Sequence, residues 1–213
     1  MRESIRQLAR ICAETLPVIE PIYEFGSIQV PGQEGFADLR PFFRGKEYVG
    51  ADMRAGVGVD VILNLHEIDL PSESVGTVLI FDTLEHVEFP RKAMVEIRRI
   101  LKPNGIVVST SVMNFPIHDC PHDYWRFTPE AFRSLLGSFG SSFVDSVGKS
   151  DFPHTIVGIG FRNSMAETDM GPFLKRFKQW KAYWDKPSRS GWREVKPYVR
   201  LTLRNAYRKI VGF

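Results

Sequence analysis

Cysteine is nearly absent. Two residues in 213, Cys12 and Cys120, cannot build a disulfide framework, and they lack the spacing of a metal-ligand pair. A reducing, cytoplasmic setting is the expectation. Long apolar runs are missing too: no stretch approaches the ~20 residues that cross a bilayer. The opening "MRESIRQLARICAETLPVIEP" interleaves charge with apolar residues at helical spacing, where a signal peptide has an unbroken apolar stretch. No internal repeat or low-complexity segment is visible. A hydrophobic content of 43% with near-balanced charge excludes a disordered chain and suits one globular domain with a large core.

The balanced charge conceals an asymmetry. From Arg162 to Phe213 there are 13 Lys/Arg against 4 Asp/Glu, and before that 15 against 21. An acidic body therefore carries a basic tail, which suits either an anionic partner or packing of the tail on the body itself.

Residues 3–16 place Ile5, Leu8, Ile11 with Cys12, and Leu16 near one helical face, and Pro17 closes that helix. "PIYEF" (21–25) reads as a buried strand. "GFADLRPFF" (35–43) is a candidate short helix limited by Pro41; "KEYVGADM" (46–53) and "GVDVILNL" (58–65) read as a second and third strand. "VGTVLIFDTLEHV" (75–87) is almost continuously apolar before a polar cluster, as in a strand covered on both faces. "PRKAMVEIRRILKPNG" (90–105) is the clearest helix, opened by Pro90 and stopped by Pro103-Asn104-Gly105, and "IVVSTSVM" (106–113) is a further buried strand. Thr128 and Pro129 start another helix, with Leu135, Leu136 and Phe139 on its apolar side. Residues 142–162 read as two strands around a turn. The alternation implies a doubly wound, mostly parallel, Rossmann-like sheet of about seven strands that ends in an antiparallel hairpin. We divide the chain into residues 1–162 as one α/β domain and 163–213 as a basic amphipathic helical extension.

Glycine is scarce where a dinucleotide-binding sheet most needs it. In "EFGSIQVPGQEG" (24–35), Gly26 is followed by Ile28 and Val30, and Pro31 stands where the helix should begin. The glycines that admit a pyrophosphate are lacking, and Glu24 would repel one. A nicotinamide reductase is thereby disfavoured. A nucleoside with a cationic amino-acid tail, such as S-adenosylmethionine, makes no such demand. Glu24 suits its ammonium, and an acid at the end of the second strand, Asp52, suits its ribose hydroxyls.

Residues 22–140 resemble the class I S-adenosylmethionine-dependent methyltransferases, specifically the small type 11 group. The resemblance is carried most strongly by "VGTVLIFDTLEHVEFPRKAMVEIRRILKPNGIVVST", above all by "LEHV" and "EIRRILKPNG". It implies S-adenosylmethionine as cofactor, with Glu24, Gly26 and Ser27 around its methionine part, Asp52 on the ribose, and Met53 against the adenine. It further implies Asn64, Leu65 and His66 at the adenine edge, and Phe81, Asp82 and His86 near the sulfonium and the amino-acid part. Asn64 replaces the family's usual aspartate, and "QVPGQEG" departs from its glycine loop.

"NFPIHDCPHDYWRFTPEAF" (114–132) follows the fifth strand. Three roles compete for it. A histidine paired with a carboxylate can take a proton from an acceptor, which makes His118 and His122 candidate acceptor-side bases. His118 and His122 with Asp119 or Asp123 also form a possible cation site, although none is assigned. Thirdly, an Asp123–Arg126 ion pair can fix the loop while Tyr124, Trp125 and Phe127 anchor it.

In the tail, Phe173, Phe177, Trp180 and Trp184 share one helical side, with Lys175, Lys178 and Lys181 largely elsewhere; Val195, Val199, Leu203 and Ile210 repeat the theme. Packing on the sheet or on a second copy in a homodimer is one expectation. Peripheral contact with an anionic membrane or a lipid-linked substrate is another. Nucleic acid is disfavoured, since no RNA-binding motif is present. The functional expectation is a methyltransferase acting by in-line transfer on a small-molecule or glycan acceptor. The alternative is a non-catalytic S-adenosyl-binding or scaffold protein with a degenerate glycine loop.

Overall fold

A computed structural model describes residues 1–118, 122–164 and 170–185. Helix α1 (Glu3–Thr15) leads into β1 (Ile22–Phe25). Next come β2 (Tyr48–Asp52), the two-residue β3 (Val61–Ile62), β4 (Val75–Phe81), α2 (Pro90–Ile100), β5 (Leu101–Val112), α3 (Pro129–Leu135), the hairpin β6 (Ser141–Lys149) and β7 (Phe152–Phe161), and α4 (Gly171–Trp184). The seven strands form one sheet in the order β3-β2-β1-β4-β5-β7-β6. β1 to β5 pair in parallel, and β7 runs antiparallel between β5 and β6.

Side-chain alternation splits the core in two. On one face of the sheet Val78 and Ile80 pack with Met94 and Ile97 of α2 and with Phe132 and Leu136. On the other, Leu79 and Phe81 pack with Ile5 and Leu8 of α1 and with Phe173, Phe177 and Trp180 of α4. Successive residues of a strand point to opposite faces, so a β4 buried along its whole length is what two helical layers require. The Thr128 hydroxyl caps α3 by accepting the Ala131 N–H at 3.1 Å. In α4 the Trp180 indole N–H donates to the Ser4 carbonyl of α1 at 3.0 Å.

Several expected boundaries move. Residues 35–43 form no α-helix, only a 3₁₀ turn at Arg40–Phe42. The β1–β2 crossover is thus built from turns, because Pro31, Gly32, Gly35 and Pro41 interrupt any helical run. The third strand shrinks from 58–65 to Val61–Ile62: Gly58 has φ 90°, and Asn64 turns back to bridge Glu67. Helix α2 ends at Ile100, just ahead of the expected stop at Pro103-Asn104-Gly105. Leu101 already pairs with Val75, and the ladder resumes at Thr77 opposite Ile106, so residues 102–105 bulge from the strand. The half of the extension beyond Asp185, with Val195, Val199, Leu203 and Ile210, lies outside the described residues. Among the described residues no helix is long and apolar enough to cross a membrane.

Candidate active site

The strand order reverses between β1 and β4, and ligands of open α/β sheets gather at the carboxyl ends of the strands at such a point. A cavity of about 320 Å³ opens there. Glu24, Gly26, Ser27, Asp52, Met53, Asn64, Leu65, His66, Phe81, Asp82, His86, His118 and His122 all line it.

The two strand-end acids differ in setting. Glu24 is 4% exposed and accepts the Tyr48 hydroxyl at 2.7 Å. Burial pushes its carboxyl up to about 7, against the hydrogen bond from Tyr48. Asp52, also buried, accepts the Arg54 backbone N–H at 3.0 Å, with the Arg54 guanidinium 3.6 Å away. Between them the chain turns at Gly26, whose φ is 84°; a Cβ there would lie 2.2 Å from Thr83 Oγ1. Only glycine fits that turn. The buried Ser27 hydroxyl donates to the Ala51 carbonyl at 3.2 Å.

Around the rim, Asn64 Oδ1 accepts the His66 N–H at 2.9 Å, and His66 Nε2 accepts the Phe89 N–H at 3.1 Å. Leu65 and Phe81 are buried, whereas Met53 is more than half exposed. Asp82 sits in the left-handed region at φ 46°. Its two carboxylate oxygens accept Arg2 Nε and Nη2, each at 2.9 Å, and the Thr110 hydroxyl donates to one of them at 2.9 Å. Burial alone would raise this carboxyl; the Arg2 charge outweighs it and holds the group below the usual carboxylate range.

The loop after β5 forms the facing wall. Asp123 joins Arg126 in a two-pronged ion pair, at 2.5 and 2.6 Å, and accepts the His118 backbone N–H at 2.8 Å. The His118 ring places Nδ1 3.1 Å from the same carboxylate. Phe127 is buried, and the Trp125 indole N–H donates to the Val87 carbonyl at 3.0 Å. The His122 ring is tilted against Tyr124, while its backbone carbonyl accepts His86 Nδ1 at 2.5 Å. Asp119 and Cys120 lie outside the described residues. Among the described residues, the metal-ligating groups that converge are Glu85, His86 and His118.

Three residues of the site have no place in the sequence-based expectation. Arg2 reaches Asp82 across 80 positions, Tyr48 reaches Glu24 across 24, and Glu85 is fully buried in the cavity wall. Only Glu85 had a signal, its place in "LEHV".

The donor set suits S-adenosylmethionine. A buried acid lies beside a glycine cradle that a Cβ would fill, a second acid stands at the end of the neighbouring strand, and an apolar rim is formed by Leu63, Leu65 and Met53. These can take a cationic amino-acid tail, a ribose diol and an adenine face, and no phosphate-binding helix follows the glycine.

Residues 45–109 match the family model described as a methyltransferase domain. No curated protein is similar to the chain. Among solved structures it resembles an S-adenosylmethionine-dependent methyltransferase from Archaeoglobus fulgidus at 14% identity, covering 76% of this chain and 94% of that one with a TM-score of 0.58. It also resembles the YcgJ protein from Bacillus subtilis at 11% identity, covering 75% and 98% with a TM-score of 0.54. A third likeness is the methyltransferase CalH in complex with S-adenosylhomocysteine, at 15% identity and TM-score 0.54; 74% of this chain matches 55% of that one. Residues 45–109 thus match a methyltransferase domain, and the seven-stranded sheet around them has the fold of S-adenosylmethionine-dependent methyltransferases.

Proposed function

We propose that the enzyme methylates a small-molecule or glycan acceptor that enters on the side of His118 and His122. The observation that carries this is the continuity of one cavity from Glu24 and Asp52 to the His118–Asp123 pair. The cofactor supplies an already activated methyl group, so alignment of the acceptor is the protein's main task. Glu24 would hold the ammonium, Asp52 the ribose, and Leu63 and Leu65 the adenine, with Met53 as a pocket wall. Asp123 fixes the His118 ring, which stands next to the acceptor's proton. Tyr124 and Trp125, each 43% exposed, offer apolar faces of the kind that stack on a sugar ring. The basic face of α4, with Lys175 and Lys178 exposed, suits an anionic or lipid-linked acceptor.

A scaffold without catalysis would need only the cofactor half of this cavity. Calorimetric titration of the wild type and Asp52→Ala with S-adenosylhomocysteine tests the cofactor half. Micromolar binding that weakens at least about tenfold in the variant is expected. A panel of glycan and small-hydroxyl acceptors with labelled S-adenosylmethionine tests the other half. Binding of cofactor without transfer to any of them would favour the scaffold.

A further inference from the structure

Glu85 and His86 are neighbours on the 3₁₀ turn Leu84–His86 that follows β4, and His118 arrives from the loop after β5. Their ligand atoms all lie within 4.8 Å of one another. Nothing in the cofactor contacts proposed above uses Glu85. Its side chain is fully buried; Oε2 accepts the Ser111 hydroxyl at 2.7 Å, while Oε1 has no hydrogen-bond partner. An unpartnered carboxylate oxygen in the interior is costly, and a cation in contact with it would remove that cost.

Both imidazoles are arranged as ligands. His86 Nδ1 donates to the His122 carbonyl at 2.5 Å. His118 Nδ1 lies 3.1 Å from Asp123 Oδ2 and 3.2 Å from the Pro116 carbonyl. A contact from a ring nitrogen to a carbonyl or carboxylate fixes the ring's orientation, the usual support behind a metal-bound histidine. The two rings meet edge to face, with centroids 4.7 Å apart.

We propose that Glu85, His86 and His118 bind one first-row divalent cation, of the zinc or manganese kind, in the wall of the acceptor side of the cavity. Two imidazoles and one carboxylate suit such ions, whereas magnesium and calcium prefer all-oxygen sets. Donors about 2.1 Å from a four-coordinate ion stand roughly 3.4 Å apart, so shifts of about an ångström close the set. All three residues line the cavity, so the remaining coordination positions open to its contents. On the methyl-transfer proposal, on which this role alone rests, an acceptor hydroxyl that reached the ion would become more acidic. His118 would then act as a ligand instead of as a base.

The test uses the full chain, stripped with a chelator and titrated with Zn²⁺ by calorimetry, with Co²⁺ uptake followed by visible absorption. One ion per chain is expected. Glu85→Gln and His118→Gln should each weaken uptake at least about tenfold. Circular dichroism melts establish that both variants fold, and His118→Gln, on a loop, keeps the test open should the buried variant fail. No uptake by the folded wild type overturns the site, as does wild-type affinity in a folded variant. Titration of the same wild-type protein with S-adenosylhomocysteine separates the two proposals. Cofactor binding without Zn²⁺ uptake overturns the metal site alone. Zn²⁺ uptake that both variants lose, without cofactor binding, upholds the site and removes its acceptor role.

Discussion

The carboxylate of Glu24 and the hydroxyl of Tyr48 are 2.7 Å apart across the parallel β1–β2 pair, with the acid almost wholly removed from water. One hydrogen bond does not compensate for that burial, so Glu24 stays protonated in the folded protein up to about pH 7. Tyr48 is correspondingly hard to ionise, chiefly through burial and then through the Glu24 charge.

The sign for stability follows. The folded-state pKa of Glu24 is raised above its ordinary value of 4.5, so its contribution is fully present below about pH 4.5 and is lost as pH rises through about 7. Glu24→Gln should therefore be more stable than wild type at pH 8, by roughly 1–3 kcal/mol, and close to wild type at pH 5. Urea melts at the two pH values measure this. Equal effects at both would assign the change to packing.

Cofactor affinity should have the opposite slope. An ammonium against Glu24 favours the ionised carboxylate, so S-adenosylhomocysteine should bind up to about tenfold more weakly for each pH unit below 7. Calorimetry at pH 6 in buffers of different ionisation enthalpy should show proton release. In Glu24→Gln the release should vanish and the affinity become flat with pH.

Gly26→Ala should destabilise the protein by at least about 1–2 kcal/mol through its positive φ, before the clash with Thr83 is counted. Combining it with Thr83→Ala relieves the clash and leaves the backbone strain. Thermal melts of the two singles and the double should thus show a positive coupling. Additive losses would mean that Thr83 swings clear at little cost.

Helix α4 should prove part of the folded core. Trp180→Ala removes a side chain 5% exposed and its bond to Ser4, and should cost about 3–5 kcal/mol. Lys181→Ala breaks a half-buried pair with Asp145 and should cost under about 1 kcal/mol. Denaturant melts distinguish them; equal, small losses would mean that α4 packs only loosely.

The sequence by itself determined the layered sheet and most of its elements. Apolar runs at 22–25, 75–81 and 106–112 have to be covered on both faces, and Thr128-Pro129 can only open a helix. It also marked the strand-end acids Glu24 and Asp52 and the turn at Gly26, since strand ends and positive φ leave local signals. Short elements were less legible. At 35–43 and 58–65, prolines and glycines compete with a weak apolar pattern, and tertiary contacts decide the outcome. The pairings that tune the site, Arg2 with Asp82 and Tyr48 with Glu24, have no local signal at all. Neither does the convergence of Glu85, His86 and His118. A carboxylate's ionisation depends on how far folding removes it from water and on which charge arrives from elsewhere in the chain, and only the closed tertiary structure supplies both.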